Sequence, residues 1–181
     1  MKILFISDIH GISINLKKIE KIIEREKIDK LVVLGDLYYA GAIYFQNDEA
    51  GSIEVKNILT KYADKLICLK GNCDTEVDIK ASDFPICSNL ALICVDGIDV
   101  YLTHGNEYNI EKNRKFNNRK GILVYGHEHI PYIKRDKDMI YINVGSISLP
   151  RGNNKPTYMI YENRKFTIYD IEENIFDMIE I

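Results

Sequence analysis

Long hydrophobic runs are missing from this sequence. Its start, Met1-Lys2-Ile3-Leu4-Phe5-Ile6, holds one lysine and only four consecutive apolar residues, too few for a signal h-region or a membrane span. A membrane partner is therefore not expected, and the protein is expected in the cytoplasm. There is no basic block either: 24 Lys and Arg are scattered among 27 Asp and Glu, for a formal net charge of −3. A phosphate backbone is tracked by clustered positive charge, so duplex nucleic acid is not the expected partner. The four cysteines, Cys68, Cys73, Cys87 and Cys94, show neither C-x-x-C spacing nor the density of a disulfide scaffold, and reduced thiols are expected. Of these, Cys68 and Cys94 lie in apolar runs and are expected in the core. Repeats, low-complexity tracts and linkers are absent too. With 46% hydrophobic residues over 181 positions, one domain spanning 1–181 can bury a sizeable core.

What is present is a recurring strand ending. Ile3 to Ile6 leads into Ser7-Asp8, Leu31 to Leu34 into Gly35-Asp36, and Leu66 to Leu69 toward Gly71-Asn72; Val100 to Leu102 leads into Thr103-His104, and Ile122 to Tyr125 into Gly126-His127. Each is a short apolar run of the kind that forms a strand buried on both faces. Between the first two, Ile12, Leu16, Ile19, Ile22 and Ile23 recur at helical spacing among Lys and Glu, which predicts an amphipathic crossover helix. A weaker pattern at Val55, Ile58 and Leu59 predicts a second helix, so the first seventy or so residues read β-α-β-α-β. Further on, Asp96-Gly97 between Leu92–Val95 and Ile98–Leu102 predicts a hairpin. Alternating stretches at Ile140–Val144, Tyr158–Tyr161 and Phe166–Ile171 are expected in a second, mixed or antiparallel sheet facing the first. Residues 105–120 are polar and predicted to form a loop with a short helix.

Chemistry concentrates at those strand ends. In open α/β sheets ligands bind beyond the carboxyl ends of strands. There the chain places Asp8-x-His10, Asp36, Asn72, His104 and His127-x-His129, which include all four of its histidines. Singly, each piece has a bland explanation as turn, cap or filler; the shared position after a strand is what argues for a site. Asp, Asn and His donors without a thiolate set suit Mn²⁺, Fe²⁺, Ni²⁺ or Zn²⁺ better than a structural zinc, and Mn²⁺ is the expected ion. Seven donors exceed the needs of one ion. Two ions about 3.5–4 Å apart would clamp a phosphoryl group and activate water, which predicts phosphoester hydrolysis.

The ordered set Asp-x-His, Gly-Asp, Gly-Asn-x-Asp, His-Gly and Gly-His-x-His resembles the calcineurin-like metallophosphoesterase superfamily, and within it the small bacterial YfcE-type phosphodiesterases. The likeness extends from Met1 nearly to the carboxyl terminus and includes Gly145-Ser146 and Pro150. It implies an α/β fold, a four-layer α/β/β/α sandwich with two mixed sheets. By the same resemblance, one ion takes Asp8, His10, Asp36 and His129, and the second takes Asp36, Asn72, His104 and His127, with Asp36 bridging. A bridging hydroxide would then attack small phosphodiesters in line, in a protein that the family suggests is a homo-oligomer.

The chain departs from the family in two places. Many members carry Gly-Asn-His-Asp or Gly-Asn-His-Glu where this chain has Gly71-Asn72-Cys73-Asp74, and their histidine, held by the following acid, protonates the leaving group. By that correspondence Cys73, Asp74 and Asp36 are the catalytic candidates. A thiol with an unperturbed pKa of about 8.5 is a weaker donor than imidazolium, so esters with acidic leaving groups are expected to be favoured; Cys73 as mere filler is the other reading. After Asp36, Leu37 to Ile43 lacks the Asn and Arg that YfcE-type relatives tend to carry near the substrate. Tyr38, Tyr39 and Tyr44 either stack on substrate or pack, and Arg151 and Lys155 either meet a phosphate or are surface charges. Three other functions compete: phosphomonoesterase, nucleotide pyrophosphatase, and a non-catalytic scaffold like the small retromer subunit. Seven intact ligand positions argue against the scaffold, and the scarcity of nearby cations favours a singly charged diester over a monoester dianion.

Overall fold

A computed structural model describes residues 1–38, 51–87, 89–112, 116 and 119–181. Strands β1 (Ile3–Ile6), β2 (Lys30–Val33) and β3 (Leu66–Leu69) are joined through helices α1 (Ser13–Arg25) and α2 (Ser52–Thr60), and pair in parallel with one another and with the short β4 (Ile86–Cys87). The predicted β-α-β-α-β unit is present. In α1 the apolar stripe Leu16, Ile19, Ile22 and Ile23 is buried against Leu4, Ile6, Leu31 and Val33 of the sheet. Each such side chain contributes about 1.5–3 kcal/mol on burial, which offsets the lack of a side-chain N-cap at Ile12. A third helix, α3 (Glu76–Ala81), carries a capping box: Asp78 N–H donates to Thr75 Oγ1 at 3.2 Å and Thr75 N–H to Asp78 Oδ2 at 2.8 Å.

The second half forms β5 (Leu90–Val95), β6 (Ile98–Thr103), β7 (Gly121–Tyr125), β8 (Tyr132–Asp136), β9 (Met139–Asn143), β10 (Thr157–Glu162), β11 (Lys165–Asp170) and β12 (Ile175–Glu180). The β5–β6 hairpin turns at Asp96 and Gly97, both at positive φ (51° and 80°), as the Asp-Gly pair predicts. One sheet runs β12-β11-β10-β1-β2-β3-β4 and the other β5-β6-β7-β9-β8; both are mixed. This corrects one expectation, since β10 and β11 do not join the second sheet. They extend the first, β10 pairing antiparallel with the open edge of β1 (Leu4 opposite Ile160). Because β10 and β11 are largely buried on both faces, their apolar pattern carries no mark of which sheet they join.

The sheets meet across a core of Phe5, Val32 and Leu69 from the first and Val100, Leu102, Ile122, Val124 and Ile142 from the second. Helices α1 and α2 cover the outer face of the first sheet. Over the outer face of the second, Tyr108, Ile110 and Phe116 pack on Tyr101, Leu123, Tyr125 and Tyr141. Among the described residues of 105–120 the chain is loop with a 3-10 turn at Phe116, and the rest of the expected short helix falls outside them. Cys68 is buried as expected, whereas Cys94 is exposed: alternation along the edge strand β5 turns it outward. All four thiols are free. No helix among the described residues is long and apolar enough to cross a membrane.

Candidate metal centre

Parallel strands align their carboxyl ends, and here two sheets bring those ends to a common edge. Strands β1, β2 and β3 of one sheet and β6 and β7 of the other stop there. Strand to loop is a sharp change, made by left-handed residues: Asp8, His10, Asp36, His127 and His129 have φ between 52° and 64°. Asp and His tolerate this region better than most residues. Backbone bonds clamp the loops together, Asp8 N–H to Gly35 O at 3.1 Å and His10 N–H to Asp36 O at 2.9 Å. The glycines are needed for proximity. A Cβ on Gly71 would stand 2.1 Å from Asp36 Oδ1, and one on Gly126 would stand 2.0 Å from Ser7 Oγ.

Two donor clusters result. In the first, His129 Nε2 lies 3.0 Å from Asp8 Oδ1 and 3.3 Å from His10 Nε2. In the second, His104 Nε2 lies 3.0 Å from Asn72 Oδ1 and 3.3 Å from Asp36 Oδ2. Asp36 connects them, its Oδ2 also 3.8 Å from His10 Nε2. Asp8, His10 and His129 form one group with donor atoms close enough for a single ion; Asp8, Asp36 and His104 form another, and His10, Asp36 and Cys73 a third. His127 is the outlier, half-buried and beside the His104 ring at 5.1 Å between centroids, outside these groups.

The chemistry of these contacts calls for a cation. His129 Nδ1–H donates to Leu149 O at 2.6 Å and His104 Nδ1–H to Leu34 O at 2.8 Å. Carbonyl oxygens only accept, so in the neutral rings both Nε2 atoms carry lone pairs. Those lone pairs face carboxylate and amide oxygens that also only accept there. Asp8 Oδ1 is buried and has no hydrogen-bond partner among the described residues, though His129 Nε2 stands beside it. A proton or a metal ion relieves such a confrontation, and a backbone-anchored imidazole opposite a carboxylate is how proteins present histidine to a metal. Without metal a proton serves: burial opposes charge on His104, but Asp36 and Asp8 outweigh it and push its pKa up to about 9. Burial and the charge on His104 push His127 down. Burial would raise Asp8 and Asp36, yet their histidine neighbours hold both below the usual carboxylate range.

The residues expected to act in catalysis occupy distinct places. Cys73 Sγ, half-buried, accepts from Asn72 Nδ2 at 3.2 Å. Burial and the carboxylate of Asp36 push its thiol up to about 12, so it stays protonated and is a reluctant acid. Asp74 is buried and turned to backbone, accepting from Gly71, Leu37 and Asp36 N–H at 2.7, 2.7 and 2.8 Å. It therefore positions the loops that carry Asp36 and Asn72. Tyr38 packs in the core with its hydroxyl 2.7 Å from Ser82 Oγ, while Tyr39 and Tyr44 lie outside the described residues. Arg151 is exposed, and Lys155 pairs with Glu172 and Asp170, as surface charges do. Sequence reasoning missed two supports. Ser146 Oγ donates to Asp8 O at 2.9 Å, and the fully buried Asn143 donates to Gly126 O at 2.8 Å. The one signal for Asn143 is a polar residue ending a strand of buried apolar ones.

Comparison with known proteins agrees with this geometry. The chain is 30% identical over 173 residues to the phosphodiesterase YfcE of Escherichia coli, covering 96% of this chain and 94% of that one. The solved structure of YfcE, a phosphoesterase from E. coli, superposes with a TM-score of 0.92 at 29% identity over all of both chains. Zinc-bound Vps29 of Entamoeba histolytica shares the fold, with a TM-score of 0.66 at 19% identity over 99% of this chain and 98% of that one. Residues 1–165 match the model of the calcineurin-like phosphoesterase superfamily domain, a family that employs divalent metal ions, and the chain belongs to it.

Proposed function

We propose that this protein is a metal-dependent phosphodiesterase acting on small, singly charged diesters, with two divalent ions held by Asp8, His10, Asp36, Asn72, His104, His127 and His129. One observation carries the reading: two clusters of lone-pair donors, anchored from behind by Leu149 O and Leu34 O, share Asp36 at their junction. Similarity to YfcE, a phosphodiesterase by name, supports the substrate class. Divalent ions bound there would polarise the phosphoryl group and lower the pKa of coordinated water. The chain's own residues supply the rest. Asp36, fixed by Cys73 N–H at 2.8 Å, holds the clusters in register, and Asp74 holds Asp36. A cleft of about 520 Å³, lined by Tyr38, Asn72, Cys73, Thr75 and Val77, opens beside Asn72 and has room for one ester substituent. Among the described residues, Lys70 is engaged by Glu76 at 2.8 Å, which leaves less positive charge for a dianionic monoester.

Chelator-stripped protein, given Mn²⁺, Ni²⁺, Zn²⁺ or Mg²⁺ singly, tests this on bis-p-nitrophenyl phosphate and p-nitrophenyl phosphate. Diester cleavage should require metal, exceed monoester cleavage, and fall by roughly 10³-fold in Asp36→Ala, equivalent to the several kcal/mol that metal clamping supplies. Preference for the monoester would make the protein a phosphatase; bound metal without hydrolysis would point to another substrate, and absence of metal binding to a scaffold. The protonated thiol at residue 73 makes a second prediction. Cys73→His should raise the rate on alkyl esters relative to aryl esters by about 10-fold or more, at the low end of general-acid contributions. Unchanged relative rates would leave Cys73 as filler.

A further inference from the structure

Residue 128, between two expected ligand histidines, turns its carboxylate to Tyr132 and Asn143. The loop Gly126-His127-Glu128-His129 is tight, with Glu128 N–H bonded to Gly126 O at 2.7 Å and left-handed φ of 64° and 60° on either side. A backbone bent this way persists only where its surroundings hold it. On one side the hold is Asp8, whose Oδ2 accepts His127 N–H at 2.9 Å. On the other it is Glu128. Its Oε2 accepts from Tyr132 O–H at 2.9 Å and from Asn143 Nδ2 at 3.3 Å.

A carboxylate only accepts, and this gives the neighbouring bonds a direction. Because the Tyr132 proton goes to Glu128, Tyr125 O–H donates to Tyr132 at 2.6 Å, and Tyr125 oxygen accepts Ile110 N–H at 3.2 Å. Ile110 belongs to the loop after His104, whose start is tied by Asn109 Nδ2 to Gly105 O at 3.0 Å. The chain Ile110, Tyr125, Tyr132, Glu128 thus links the loop behind His104 to the loop bearing His127 and His129. It crosses the outer face of the second sheet, behind the site.

We infer that Glu128 and Tyr132 are positioning residues that hold the His127-x-His129 pair, and through Tyr125 the His104 loop, in the geometry that binds metal. The inference rests on the reading of these histidines as ligands. Outer partners of metal ligands act this way in general, and losing one costs about 10–100-fold in metal affinity or activity. The test compares metal-free wild type, Glu128→Ala, Glu128→Gln and Tyr132→Phe. Mn²⁺ affinity is measured by competition with a chromogenic chelator, bound metal is counted by mass spectrometry, and folded fraction is read from thermal unfolding without metal. Glu128→Ala and Tyr132→Phe should lose about 10–100-fold in Mn²⁺ affinity while folded. Glu128→Gln keeps an acceptor for Tyr132 O–H and should stay near wild type. Combining Glu128→Ala with Tyr132→Phe should cost little more than either alone, because they share one path. Wild-type affinity in Glu128→Ala and Tyr132→Phe, or a loss explained by their unfolded fraction, overturns the inference alone. A wild type that binds no Mn²⁺ overturns it together with the ligand reading on which it stands.

Discussion

The chain turns left-handed at both ends of its parallel strands, and the two ends use that conformation differently. At the end far from the metal centre, Lys27, Asp96, Lys137, Asn163 and Arg164 have φ of 50–62° in exposed turns that precede β2 or join hairpins. The strain there, roughly 1–2 kcal/mol per residue, serves only to reverse the chain. At the ligand end Asn153 and Glu173 again turn in the open, but Asp8, His10, Asp36 and His129 adopt the same conformation while buried. Their backbone groups are met by one another and by Asp74 and Ser146. Strain at the far end is replaceable turn geometry; at the ligand end it is maintained by a buried network, as expected where strain belongs to function. Substitutions should therefore cost much at one end and little at the other.

The largest difference is expected at Gly71. Alanine there would put its Cβ 2.2 Å from Asp36 N, a backbone atom that cannot move without displacing Asp36. Gly71→Ala should destabilise by about 3 kcal/mol or more and abolish metal-dependent hydrolysis, measured by urea unfolding and diester assay. Next comes Asp74→Ala, which strips the acceptor from three amides; a cost of about 2–3 kcal/mol is expected, with weakened Mn²⁺ affinity since Asp36 loses its hold. A folded Gly71→Ala with full activity would erase the contrast between the two ends.

Much of this contrast was readable in the sequence. Runs such as Ile3–Ile6 and Ile122–Tyr125 end in ligand-type residues, and the fold brings those residues together at one edge. The α1 stripe and the Asp96-Gly97 turn were legible because local periodicity and turn chemistry determine them. Sheet membership of β10 and β11 was not, since strands buried on both faces present no polar side to mark a partner. Nor was the part played by Asp74, because a buried carboxylate serving amides and one serving a reaction have the same letter. Cys94 misled for a related reason: an apolar run on an edge strand exposes every second residue.

Titration sharpens the comparison further. In the metal-free protein His104 has a pKa of about 9, above its unfolded value of about 6.5. Its contribution to stability is thus fully present below about pH 6.5 and lost as pH rises through about 9. Asp8 and Asp36 are held low, so they contribute above about pH 4 and that contribution is lost in acid. Stripped protein should be most stable between these limits, and urea midpoints at about pH 6 and pH 9 test it; equal midpoints would count against a proton held between His104 and Asp36. Metal binding should run the other way, tighter as pH rises, because the ion displaces that proton.

The smallest effect belongs to the far end. Lys137 sits exposed at φ 54° in the turn between β8 and β9, where a side chain gains nothing. Lys137→Gly removes roughly 1–2 kcal/mol of left-handed strain while adding about 0.5–1 kcal/mol of unfolded-chain entropy. A net gain of about 0.5 kcal/mol is expected from that difference, with diester hydrolysis and Mn²⁺ affinity unchanged. Since β9 ends at Asn143, beside Gly126, the substitution also asks whether a relaxed turn is felt along the strand at the metal loops. Altered metal affinity would mean that the two ends are mechanically coupled through β9, and that strain at the far turn is part of what positions His127 and His129.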